Sequence, residues 1–214
     1  MNEHENTSPG SSTADAKKEL RRSVRTARKT TYGGEDGARR RAEEAQQLRS
    51  HGAALIAALR EDAPLTRVAA YRPTPTEADV MPLLEDLRSQ GIELIFPVSA
   101  GEDLEWVLWD GGEFVPSPGT GFGDEPQGER LGRDALGTVD LVLAPAVAVD
   151  LTGSRIGHGA GFYDRAVGHR RPGTPVVAVV HPEELLPPGE VPIDDGDAPI
   201  DGVLTAAGYR ALSA

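Results

Sequence analysis

Four segments of this chain are apolar at nearly every position, and striped helical segments or turn-rich stretches separate them. They are Arg67–Tyr71 (RVAAY), Ile92–Val98 (IELIFPV), Val139–Val149 (VDLVLAPAVAV) and Pro175–Val180 (PVVAVV). A strand with one face in water alternates apolar and polar residues. A strand buried on both faces does not, and such strands belong to parallel sheets sandwiched between helices. The segments between them supply that cover. Residues 15–30 place Leu20, Val24 and Ala27 on one helical face, residues 35–60 carry Ala45, Leu48, Leu55, Ile56 and Leu59, and residues 77–90 carry Val80, Leu83, Leu84 and Leu87. These spacings of three and four are the helical signature. The fold expected is α/β: a three-layer α/β/α arrangement around a mainly parallel sheet. Ligands of such sheets bind beyond the carboxyl ends of the strands, here the loops after Tyr71, Pro97, Val149 and Val180.

Local signals refine the elements. Ser12 and Asp15 have the spacing of a helix-capping pair, and Tyr32-Gly33-Gly34 divides the first helix from the second, whose continuity Gly52 weakens. Leu104–Trp109 and Glu113–Val115 read as a strand pair joined through Asp110-Gly111-Gly112. Residues 116–138 read as a Gly/Pro-rich loop, and Pro145 takes the chain out of the sheet. A helix is expected from near Gly161 to Gly168, a loop over 181–200, and a last strand at Asp201–Thr205. Residues 1–13 have the composition of a disordered tail, which leaves 14–214 as a single domain.

Composition excludes several classes of function. The 214 residues include no cysteine, so thiolate chemistry and disulfides are absent. No apolar run reaches the roughly 20 residues of a membrane span, and the polar start lacks the blocks of a signal peptide. A cytoplasmic location and no membrane partner are expected. Residues 1–72 hold 14 Lys/Arg against 10 Asp/Glu, and the remainder 8 against 24, so a basic first third precedes an acidic body. That body would repel nucleic acid, while the basic helix could meet a small anion. No interface patch is readable, and a monomer is expected.

The chemistry concentrates in Asp150–Arg165. Glycines at 157, 159 and 161 permit positive φ and close backbone approach. The segment follows a strand and enters a helix, where free N–H groups attract phosphate. Arg155 and Arg165 add guanidinium donors suited to phosphate oxygens. Asp164 would be repelled by that anion unless a cation such as Mg2+ stood between them. The glycines alone are equally consistent with a tight turn carrying surface charge. The pattern is neither a Walker loop nor a dinucleotide fingerprint.

The full string is more specific. Arg155-x-Gly157-x-Gly159-x-Gly161-Phe162-Tyr163-Asp164-Arg165 resembles the signature of the 5-formyltetrahydrofolate cyclo-ligase (methenyltetrahydrofolate synthetase) family, usually close to Arg-Leu-Gly-x-Gly-x-Gly-Tyr-Tyr-Asp-Arg. Lys17-Lys18-Glu19-Leu20-Arg21, Tyr71-x-Pro73-x-x-x-Glu77, Gly123-Asp124-Glu125-Pro126 and Pro192-Ile193-Asp194-Asp195-Gly196-Asp197 resemble further elements of that family, in order, over about 17–205. The chain departs from the pattern at His158, where Tyr or Arg is frequent, and at Phe162, where Tyr is. Asp194 and Gly196 stand in place of Glu and His.

The resemblance implies a Rossmann-like sheet and an ATP- and Mg2+-dependent ligase acting on 5-formyltetrahydrofolate. By it, ATP would meet Lys17, Lys18, Arg21, Arg155, Gly157, His158, Gly159, Ala160, Gly161, Phe162 and Tyr163. Folate would meet Arg72, Glu77 and the stretch His158–Phe162. Asp164 and Asp197 would hold the metal, and Arg155, His158 and Asp164 would carry catalysis. Plainer readings exist for several of these positions. Lys17 and Arg21 could solvate a helix face, Glu77 could favour a helix dipole from a first turn, and Asp197 could be a solvated loop acid. Trp106 is read as packing, with stacking on a pterin as the alternative. A non-catalytic folate- or nucleotide-binding module is the competing functional reading, prompted by the altered 194–196 segment.

Overall fold

The computed structural model describes residues 12–118 and 123–212. Residues 1–11 of the expected tail lie outside them. The chain runs α1 (Thr13–Tyr32), α2 (Gly34–Asp62), β1 (Arg67–Ala69), α3 (Met81–Ser89), β2 (Glu93–Ala100), β3 (Asp103–Leu108), β4 (Phe114–Pro116) and β5 (Asp124–Pro126). It continues through β6 (Leu141–Pro145), β7 (Ala148–Asp150), β8 (Arg155–Ile156), α4 (Phe162–Ala166), β9 (Val176–Val179), β10 (Leu185–Leu186), β11 (Gly202–Thr205) and β12 (Gly208–Ala211). Among the described residues the main sheet has seven strands in the order β12-β11-β9-β6-β1-β2-β3. The five inner strands are parallel, and β12 and β3 close the edges antiparallel.

The apolar runs are two-faced for the reason the sequence suggests. Val68, Leu94, Leu141, Leu143, Val177 and Leu204 pack with Leu48, Leu55 and Ile56 of α2 and Leu83, Leu84 and Leu87 of α3. Their neighbours Ala69, Ile95, Val142, Ala144, Ala178 and Val203 turn to the opposite side, against Leu136, Val139, Tyr163 and Ala166. Each such side chain removed from water contributes about 1.5–3 kcal/mol. The second layer is thinner than the first, being α4 and a short 3-10 helix at Arg133–Thr138.

At Pro145 the chain leaves the main sheet, as expected, and β7 joins a second sheet, β10-β7-β8. α1 covers this small sheet through Leu20 and Val24, which pack against Val147, Ala148, Ile156 and Val191. That contact brings the basic face of α1 over the segment following β8.

Several expectations are corrected. Leu104–Trp109 does not pair with 113–115. β3 folds back on β2 through Gly101-Glu102, while β4 pairs with β5. Gly101 has φ +72°, the glycine-first geometry of a tight hairpin turn. The Asp110-Gly111-Gly112 turn instead brings Gly112 O under the Trp109 indole N–H (2.8 Å). α2 is unbroken at Gly52, where a Cβ would lie 2.3 Å from Leu83 Cδ2, so the glycine allows α2 and α3 to approach. α3 starts at Met81, with Pro82 in its first turn, so Glu77 belongs to a loop and serves no helix dipole. The 116–138 stretch contains β5 and the 3-10 helix, and β12 follows the strand expected to be last.

Candidate active site

A cleft of about 450 Å³ opens at the carboxyl ends of β1 and β6, between α1, the loop after β1 and the segment joining β8 to α4. Phe96 and Pro97, inside β2, give it an apolar surface, and Tyr71, Arg72, Thr74 and Glu77 form one wall. Residues 155–164 form the opposite wall, and Lys17, Arg21, Asp194 and Asp197 line it too. Of the residues singled out in the sequence, Lys18 is not brought here. It is exposed on α1, one position and about 100° round the helix from buried Lys17. Trp106 is 1% exposed in the core and does not face the cleft, which removes it as a pterin-stacking residue. The loop after Val180 reaches the cleft only late, through Asp194 and Asp197, while its first residue, His181, lies behind the wall against Thr76 O.

The glycine segment has the backbone its composition requires. Gly159 (φ +111°) and Gly161 (φ +68°) occupy conformations that disfavour side chains. A Cβ on Gly157 would come 3.3 Å from Arg155 Nη1. Arg21 Nε donates to Gly157 O (2.8 Å), Arg25 Nη2 to His158 O (3.1 Å) and Arg165 Nη2 to Ala160 O (3.1 Å). Three loop carbonyls are thus neutralised by guanidinium groups, which leaves the segment electropositive. α4 is only five residues long, so the field here comes from loop amides and arginines more than from a helix macrodipole.

Behind that loop, Arg155 is buried and ion-paired with Asp164, which also accepts from Ala198 N–H (3.4 Å). Arg155 lies 6.0 Å from the Tyr163 ring centroid. The Tyr163 hydroxyl is buried and has no protein partner among the described residues. Burial holds it well above the usual phenol pKa, so it stays a neutral donor next to the cleft. Lys17 donates to Asp197 and to Asp194 (2.8 Å). Burial disfavours the charged forms of Lys17 and Asp197, yet the Lys17 pairing and the Asp194 N–H lower the Asp197 carboxyl, while Asp194 and Asp197 raise Lys17.

On the other wall, Glu77 is 4% exposed. Burial opposes its charge, but His158 Nε2 (2.8 Å), the Thr74 N–H (2.7 Å) and the Arg28 guanidinium (3.5 Å) bring its pKa down to about 2. Arg28 is itself buried, binding Glu184 and Ala146 O (2.7 Å). Arg41 of α2 donates to Glu77 O (2.6 Å) and Thr74 O (3.3 Å) and pairs with Asp79 (3.1 Å). His181 Nε2 lies 3.1 Å from Thr76 O. Sequence reasoning missed Arg25, Arg28, Arg41 and Glu184. For two of them a signal existed: Lys17, Arg21, Arg25 and Arg28 are spaced four, four and three apart, one basic stripe along α1.

The acids can be tested as a metal site. No group of three or more His, Cys, Asp or Glu among the described residues is placed to hold a metal ion. Asp164 and Asp197 nevertheless both line the cleft. Mg2+ commonly takes one or two protein carboxylates together with substrate phosphates and water. The residues therefore fit a cation that arrives with a polyphosphate.

The sequence model described as the 5-formyltetrahydrofolate cyclo-ligase family matches residues 13–206. The 5-formyltetrahydrofolate cyclo-ligase of Mycolicibacterium smegmatis is 36% identical over 145 residues, covering 64% of this chain and 72% of its own length. The Escherichia coli protein of the same name is 29% identical over 143 residues, 64% of this chain and 76% of that one. The NMR structure of Aquifex aeolicus 5,10-methenyltetrahydrofolate synthetase superposes with a TM-score of 0.71 at 28% identity, over 92% of this chain and 93% of that one. With the family match spanning both walls of the cleft and both acids, the chain belongs to the 5-formyltetrahydrofolate cyclo-ligase family.

Proposed function

We propose that this enzyme uses MgATP to cyclise 5-formyltetrahydrofolate to 5,10-methenyltetrahydrofolate, releasing ADP and phosphate. The observation that carries the reading is the opposition of two walls across one cleft: an electropositive glycine segment facing a buried, ionised Glu77.

The chemical difficulty is that an amide oxygen is a poor leaving group. The formyl oxygen attacks the γ-phosphorus of ATP. An O–P bond forms, the bond to the β-phosphate oxygen breaks, and ADP leaves. N10 then attacks the activated formyl carbon and loses its proton to solvent, the C–O bond breaks, and phosphate departs as the ring closes. No protein nucleophile is needed, so the protein acts by positioning and charge stabilisation.

Arg155, Gly157–Gly161 and Tyr163 hold the phosphates, and Lys17 and Arg21 neutralise them from α1. Glu77 and Arg72 orient the folate, with Glu77 accepting N–H donors of the ring system. Support for Arg72 is its place on the cleft, with its guanidinium 5.0 Å from the Phe114 ring centroid. His158 and Phe162 border both ligands. Asp164 and Asp197 would hold Mg2+, directly or through water, and the bound ion would neutralise charge on the polyphosphate. Lys18 takes no part. Purified protein, 5-formyltetrahydrofolate and MgATP should generate the near-ultraviolet absorbance of the methenyl product, with none when ATP or protein is omitted. Binding of both ligands without product would overturn the reading in favour of a non-catalytic module.

A further inference from the structure

Arg25 lies on α1, four residues beyond Arg21, and none of the roles above uses it. Its Nη2 is 3.2 Å from His158 Nδ1, in addition to the bond it makes to His158 O. Across the same ring, His158 Nε2 is 2.8 Å from Glu77 Oε1. A guanidinium has N–H donors, no acceptor, and does not lose its proton. The nitrogen facing it must therefore offer a lone pair. In a neutral imidazole the single N–H then sits on Nε2, where it meets a carboxylate. The two contacts favour the same tautomer together, each adding to the preference: one end faces only a donor, the other an ionised acceptor. The opposite tautomer would set donor against donor at Arg25 and lone pair against carboxylate at Glu77.

This chain of donors starts on α1, passes through the glycine segment and ends on the loop after β1, so it ties the two walls together at the cleft. We propose that Arg25 is a positioning residue that selects the Nε2–H tautomer of His158 and so clasps the glycine segment to Glu77. The functional part rests on the cyclo-ligase reading, in which Glu77 meets the folate. Oε1 of Glu77 takes the His158 N–H and Oε2 the Thr74 N–H, which fixes the carboxylate plane presented to the substrate.

The tautomer can be read without turnover. In protein carrying 15N-labelled histidine, long-range 1H–15N spectra are recorded at about pH 9, where an ordinary imidazole is neutral, and the His158 signals are identified by their loss in His158→Gln. The expected wild-type result is Nδ1 at an unprotonated shift and Nε2 at a protonated one. Arg25→Ala should erode that preference and lower kcat/KM for the folate about fivefold, the scale of one ordinary hydrogen bond. Arg25→Gln, whose amide can donate to Nδ1, should recover the tautomer. A wild-type Nδ1–H ring, or spectra unchanged in Arg25→Ala, would overturn the proposal. Because the spectra need no catalysis, a protein that made no methenyl product would refute the reaction and still leave this test decisive.

Discussion

The two walls of the cleft are encoded in different ways. The glycine wall is one contiguous string, Arg155 to Arg165, eleven consecutive positions, to which α1 adds Arg21 and Arg25 on the loop carbonyls. The Glu77 wall is a loop that does little for itself. It is held from behind by Arg28 of α1, Arg41 of α2 and His181 after β9, residues distant in sequence. A wall held by buried charges depends on the whole fold being in place, because a buried ion that loses its partner is strongly penalised.

On that contrast, damage behind the Glu77 wall should cost stability first, while damage at Arg155 or Asp164, which line the cleft and pair with each other, should cost rate in addition to stability. The largest effect is expected for Arg28→Met, which takes from buried Glu184 its paired guanidinium and from Glu77 one of its three partners. Urea unfolding should show a loss of about 3–5 kcal/mol, and near-wild-type stability would break the comparison. Next comes the pH response of Glu77. Its folded pKa, about 2, lies below the ordinary 4.5. Its stabilisation is thus complete above the unfolded value and is lost as pH falls through about 4.5 towards 2. In urea titrations the advantage of wild type over Glu77→Gln, a few kcal/mol at neutral pH, should shrink across that window.

On the glycine wall, Arg155→Ala and Asp164→Ala should each lower kcat by about 100-fold. Steady-state assay of the folded variants checks this, and wild-type turnover in either would remove the residue from the mechanism. The smallest effect separates two adjacent lysines. Lys17→Ala should raise KM for ATP about tenfold, as expected for a charge-assisted contact. Exposed Lys18→Ala should change it less than about twofold.

The same contrast explains what the sequence reveals. β1, β6, β9 and β11 are legible because two-sided burial leaves runs without polar interruptions. The glycine wall is legible because its chemistry is written in one string. Arg41 and His181 carry no such mark, since their roles depend on which loops the fold stacks together. The sequence puts Glu77 on a helix because the apolar stripe from Val80 extends naturally backwards, whereas Pro82 delays the helix and Thr74 and Glu77 close their own turn through the Thr74 N–H (2.7 Å). β12 is not legible in the sequence because an exposed edge strand of sequence GYRA has no apolar alternation to show. The strongest turn signal, Asp110-Gly111-Gly112, was real as a turn and misleading as a hairpin. Its carbonyl serves Trp109, while the weaker Gly101-Glu102 pair makes the strand reversal.

The central claim is that ATP activates the formyl oxygen itself. The most direct measurement starts from 5-formyltetrahydrofolate labelled with 18O in the formyl group, turned over with unlabelled MgATP in unlabelled water, with the released phosphate analysed by mass. Direct phosphorylation of the formyl oxygen requires one 18O in each phosphate released per methenyl product. Unlabelled phosphate, with methenyl product still formed, would contradict the account.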